Sequence, residues 1–421
     1  MINVGPFRRA AARGARFVPA ILAALLAPST PGRADSPEFT GSISAEARLF
    51  GYDAVNPGQR RHTGSLFGEV EYRQEWDAVG RVTIRPFLRL DSADRRRTHF
   101  DLREASWFRA FRDTAVGDFD LEVGVGKVFW GVTESRHLVD IINQTDLIEY
   151  PDEEEKLGQP MIHLAIPRDW GVVELFVLPG FRTRTFPGRN GRLRSALVVD
   201  TGDPVFESGA RRAHVDFATR YSNAVGPVDF GFAWFHGTTR EPAFLLGADS
   251  GGRPVLIPFY QQIDQFSLDA QLTTGPWLLK LEALYRRGQN DRQGREDAYF
   301  ASVSGFEYTF FGILGTGMDL GVLSEWHYDD RGARALTPFD NDLFVGLRWT
   351  ANDPQDSTIL AGIIQDIGSP ARFFFLEASR RIGESWTLAI EGALFAGQSS
   401  SELLFAERRD DYIQITWTYN F

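Results

Sequence analysis

The sequence predicts an all-β chain closed into a transmembrane antiparallel up-and-down β-barrel of about 18 strands (16–18), with short turns at one end and long loops at the other. Three observations carry this. Alternating apolar and polar runs extend over about 11–15 residues, whereas strands of soluble domains are typically about five or six. Short and long links between the runs interleave strictly. Tryptophans gather at the ends of the runs, where a lipid-facing barrel sets its aromatic belts.

Composition alone looks soluble, with 43% apolar residues and a net charge of −11 over 421 residues. The acidic balance argues against nucleic acid as a partner. The lack of cysteine excludes disulfides and Cys-ligated metal sites, and no cofactor or metal is expected. Residues 1–34 read as a secretory leader. Arg8, Arg9, Arg13 and Arg16 precede the apolar stretch Phe17–Ala27, which is too short to span a bilayer, and Gly32-Arg33-Ala34 offers a cleavage site. Cleavage leaves residues 35–421 as a single barrel domain. Loss of five arginines takes the net charge from −11 to −16. No later segment approaches the ~18 apolar residues of a membrane helix.

The strand runs begin with Phe39, Gly41, Ile43, Ala45, Ala47 and Leu49, which alternate with Thr40, Ser42, Ser44, Glu46 and Arg48. Val82, Ile84, Leu88 and Leu90 alternate with Thr83, Arg85, Arg89 and Asp91. Trp277, Leu279, Leu281, Ala283 and Tyr285 alternate with Lys280, Glu282 and Arg286. Tight turns are expected near 77–80, 112–118, 167–170, 223–227, 273–276, 311–316, 350–356 and 382–385. Longer links fall near 52–63, 93–98, 131–158, 182–207, 238–258, 287–297, 329–338, 367–371 and 397–408. Eight turns and nine loops make eighteen strands, with both termini on the short-turn side. Trp76, Trp170, Trp277, Trp349 and Trp386 sit at the turns, and Trp130, Trp234 and Trp326 near the opposite ends. Pro227, Pro276, Pro354 and Pro370 lie in links, where a missing N–H costs no ladder bond.

The chain ends on Phe421, with Tyr419, Trp417, Ile415 and Ile413 at alternate positions before it. This pattern resembles the terminal-strand signal that Gram-negative outer-membrane barrels present to their assembly machinery. Gly126-Lys127-Val128-Phe129-Trp130-Gly131 and Asp140–Asp146 (DIINQTD) are similar to a segment of uncharacterised, porin-related proteobacterial barrels, with Gln144 where that family carries proline. These resemblances imply Sec-dependent export to the outer membrane, contact with lipid and lipopolysaccharide, and a monomer or homotrimer.

If lipid covers the apolar face, the charged face lines a lumen. Candidate pore-lining residues are Glu69, Glu71, Arg73, Arg85, Arg89, Arg103, Arg109, Lys280, Glu282, Arg286 and Arg348. A dry core could not hold so many charges cheaply, which favours a water-filled channel. Acidic Glu69, Glu71 and Glu75 can also ladder against Arg85 and Arg89 across a strand pair. Residues 131–158 form the candidate constriction loop, with Glu134, Arg136, Asp140, Asn143 and Asp146 as its polar members. Leu138, Ile141, Ile142 and Thr145 are spaced as on a helix and give an exposed loop little reason to exist. The run Asp152–Glu155 (DEEE) reads as a solvated loop before a calcium site. The seven histidines make no H-E-x-x-H pair, and there is no G-x-S-x-G elbow or phosphate loop. The expected function is passive diffusion of small hydrophilic solutes rather than catalysis. An export or envelope-assembly barrel acting on lipid or polymer with a periplasmic partner, and an outer-membrane hydrolase, are the alternatives.

Overall fold

The computed structural model describes residues 37–77, 79–150 and 152–421. The expected leader, residues 1–34, lies outside them. The first strands are β1 (Glu38–Phe50), β2 (His62–Trp76), β3 (Gly80–Asp91), β4 (His99–Phe111), β5 (Phe119–Gly126) and β6 (Gln159–Arg168). Next come β7 (Gly171–Pro179), β8 (Val215–Val225), β9 (Val228–Thr238), β10 (Gln262–Thr274), β11 (Trp277–Arg287) and β12 (Tyr299–Phe310). The last six are β13 (Asp319–Asp329), β14 (Asn341–Thr350), β15 (Thr358–Asp366), β16 (Arg372–Ile382), β17 (Trp386–Ala396) and β18 (Tyr412–Asn420).

Each strand pairs antiparallel with the next, and β18 returns to β1, so the sheet closes with no free edge. At the seam Ser42 stands opposite Asn420. Gly41 N–H donates to Phe421 O at 2.9 Å, and Phe421 N–H returns the bond to Gly41 O at 3.0 Å. Every short and long link falls where the alternation places it. Two turns are Gly-Pro pairs: Gly226 (φ 60°) and Gly275 (φ 56°) supply the positive φ that a two-residue hairpin following the sheet's twist requires.

The outward face is an apolar band. Phe39, Ile43, Leu66, Leu88, Phe100 and Phe232 are each at least half exposed, an apolar surface that lipid and not water can cover. Inward residues alternate with these. Ser44, Glu46 and Arg48 on β1 and Lys280, Glu282 and Arg286 on β11 are buried.

Two sequence expectations fail here. Arg109, expected to line the pore, points to the lipid side. The register shifts between Arg85 and Pro86, where proline can give no ladder N–H, and this turns the odd-numbered residues of β4 after Arg103 outward. Arg109 then pairs with Gly80 and Leu121, on one face with Val82, Trp107 and Val123. Trp130, expected in an aromatic belt, is 3% exposed inside the barrel, because the chain leaves β5 and turns into the lumen. There its ring meets Phe176 edge-on at 5.7 Å, with the Arg220 guanidinium 5.3 Å from it.

Candidate functional site

The loop joining β5 to β6, residues 127–158, folds into the lumen. Its expected helix does not form; the loop's regular structure is a short ladder of Gln144–Thr145 with Lys156–Leu157. The apolar residues that suggested a helix instead dock on an apolar patch of inner wall. Val139, Ile141 and Ile142 pack with Met161, Phe176, Leu178, Phe235 and Ile263, while Leu138 packs on Leu284, Tyr299, Ala301 and Val303.

Two wall carboxylates take up the loop's backbone donors. Glu282 Oε1 accepts Val132 N–H at 2.7 Å, Thr133 N–H at 3.0 Å and Thr133 Oγ1 at 2.7 Å, and Oε2 accepts Val139 N–H at 3.1 Å. Glu325 Oε1 accepts Glu134 N–H at 2.7 Å, and its Oε2 accepts Ser135 N–H at 2.9 Å. A loop whose N–H groups are satisfied this way has no need of a helix to pair them. Asn143 knots the ends: its Nδ2 donates to Gly126 O and Leu157 O, both at 2.9 Å, and its Oδ1 accepts Val128 N–H at 2.8 Å.

On the opposite wall, Arg89 is fully buried. It bonds Glu46 at 2.9 Å and grips Glu149 of the loop through Nε and Nη2, the latter at 2.7 Å. Arg97 adds Glu46 and Asp91, and Arg103 reaches Glu155 at 2.6 Å and Glu149 at 3.7 Å. The Arg103 and Arg89 guanidiniums lie over the Phe87 and Phe67 rings at 3.8 and 3.9 Å. The expected ladder is thus partial. Arg85 pairs with Glu71 across the strands, but Glu75 takes Arg73 of its own strand, and Arg89 stands opposite Phe67 and takes its acids from β1 and the loop. Glu69 stands opposite Phe87.

A second loop enters the lumen, and the sequence reading placed none there. From the loop after β7, Phe181, Arg184, Phe186, Arg192 and Leu193 are buried. Arg192 bonds Asp410 at 2.7 Å beneath the last long loop, and Leu193 packs on Phe50 and Phe395. Its FRTRTFPGRN composition alternates too weakly to signal burial; the one available clue was Phe181 and Phe186 inside a long link.

The remaining expected residues fall as follows. Glu134 pairs with Arg348 at 2.5 Å and Lys280 at 3.5 Å, so the loop bridges to β11 and β14. Arg286 donates to Gln265 and Gln289 and lies 3.6 Å from Glu241. Arg136 donates to Phe339 O, and Asp140 meets Lys156 at 3.4 Å. Burial raises the Asp140 carboxyl above the ordinary range. Asp146 accepts Thr185 Oγ1 at 2.6 Å.

Most lumen cations are therefore ion-paired; Arg48, which donates to Gln414, and Arg136 have no ion pair among the described residues, and neither do several acids. Asp152 and Glu154 at the loop tip, and Glu377 and Glu391 opposite each other on β16 and β17, have no ion pair among the described residues. Burial and the facing Asp152, Glu377 and Glu134 push the Glu154 carboxyl up to about 7. Glu155 goes the other way: burial raises it, but Arg103 and Lys127 outweigh that and lower it.

No family model matches the chain, and no curated protein does. Solved structures do. Pseudomonas aeruginosa OccD3 (OpdP) superposes with a TM-score of 0.52 at 8% identity, over 93% of this chain and 92% of that one. Salmonella typhi OmpF, solved with daunomycin, gives 0.46 at 8% identity over 91% and 97%. The fold is porin-like.

Proposed function

We propose that the chain is an outer-membrane channel through which small hydrophilic solutes diffuse passively, with cations favoured over anions. The observation that carries this reading is the inner face: a charged wall and an inserted loop where most arginines are neutralised in pairs, with the unpaired Asp152, Glu154, Glu377 and Glu391 left to set the field. An unpaired carboxylate is tolerable beside water and costs several kcal/mol in a dry core, which supports a hydrated path. Catalysis has no part in it. The proposal includes Sec-dependent delivery, assembly through Ile413, Ile415, Trp417, Tyr419 and Phe421, and contact with outer-membrane lipid and lipopolysaccharide as a monomer or homotrimer. Reconstitution in planar bilayers tests it. Stable, cation-selective conductance is the expected result, and its absence from heat-modifiable, folded protein overturns the reading.

A further inference from the structure

Where the inserted loop meets the β4 wall, His99 faces Asp146 and Glu149. One ligand atom from each lies within 4.8 Å of the other two. His99 Nδ1 lies 3.2 Å from the Arg97 carbonyl oxygen. A carbonyl can only accept, so Nδ1 carries the proton and Nε2 presents a lone pair. That Nε2 is buried without a hydrogen-bond partner, 3.5 Å from Glu149 Oε1. Three acceptors converge, and the hydrogen bond behind the imidazole is the kind that orients a metal-ligating histidine.

The surrounding charges leave room for a cation. Arg97 is held by Glu46 and Asp91, and Arg103 and Lys127 share Glu155, with Arg103 also 3.7 Å from Glu149. Arg89 bonds Glu149 and Glu46 together. Asp146, 1% exposed, has no cationic partner among the described residues, and its bond from Thr185 Oγ1 fixes its direction.

We propose that His99, Asp146 and Glu149 bind a divalent cation of the zinc class, tying the inserted loop to β4. One imidazole nitrogen with two carboxylates is a zinc-type ligand set, and water fills the fourth position. Bonds of about 2.0–2.1 Å hold tetrahedral ligand atoms roughly 3.3 Å apart. The His99–Glu149 separation of 3.5 Å is close to that, and an Asp146 oxygen lies within 4.8 Å of both ligand atoms. Arg89 stays on Glu149 as its outer-shell partner.

The test is calorimetric titration of untagged, folded barrel in detergent with Zn2+ alone, after chelator treatment and dialysis. One saturable zinc per chain is expected. His99→Ala and Asp146→Asn each weaken uptake by roughly tenfold or more while heat-modifiable migration is retained. Glu149 is left intact because Arg89 depends on it. Absence of saturable uptake, or uptake unchanged in both variants, overturns the proposal. The titration does not require conduction, so a failed bilayer recording and a failed zinc site are separate results.

Discussion

Glu282→Ala asks whether a single wall carboxylate keeps the inserted loop in the lumen. The Glu282 side chain is fully buried and accepts four bonds from Val132, Thr133 and Val139. Bonds to an ionised acceptor contribute about 1.5–3 kcal/mol each, and a buried donor left unpaired costs about 1–3 kcal/mol. Lumen water entering the vacated space restores part of this, so a net of about 3–5 kcal/mol is expected. That shifts the docked loop toward release by about two to three and a half powers of ten. The barrel should survive, because β10, β11 and β12 are joined by backbone pairing that the side chain does not touch. Single-channel recording should show larger and noisier steps, and limited proteolysis should cut within 131–158. Glu282→Gln, which keeps one carbonyl acceptor, should fall between. Unchanged conductance and an unchanged cleavage pattern for the alanine variant would refute the reasoning.

Other perturbations address the charge distribution. Glu377→Gln with Glu391→Gln should move the reversal potential toward anions, whereas Arg109→Ala, on the lipid face, should leave it where it is; the same shift from both would contradict the assigned faces. Arg89→Met leaves Glu46 and Glu149 short of a partner and should cost about 3–5 kcal/mol of stability, read as a fall in the thermal unfolding midpoint. Selectivity should also follow pH through Glu154. Its folded carboxyl is raised to about 7, so it is neutral in acid and gains its charge as pH rises, and the stability tied to the protonated form is present below about 4.5 and lost through about 7. Cation preference should therefore strengthen from pH 5 to pH 8, and Glu154→Gln should flatten that dependence.

The architecture was legible because a closed barrel repeats one local rule eighteen times. Each strand alternates across lipid and lumen, and Gly-Pro pairs such as Gly226-Pro227 mark turns without reference to the rest of the chain. What escaped the sequence was non-local. The bulge at Pro86 reversed the face of Arg109, since a period of two is lost the moment one residue is inserted. The apolar positions of the constriction loop were recognised as needing burial, yet their helical spacing misled. Glu282 and Glu325, far along the chain, supply the acceptors a helix would otherwise provide. Glu282 reads as a pore charge from alternation alone, while its work is to hold the loop. The unpaired acids became visible once the arginines that have acidic partners were matched with them.

The most direct measurement is the reversal potential of the wild-type barrel in a planar bilayer under a salt gradient. A stable conductance with a reversal potential on the cation side is predicted from Asp152, Glu154, Glu377 and Glu391. Folded protein that conducts nothing, or that favours anions, would contradict the account.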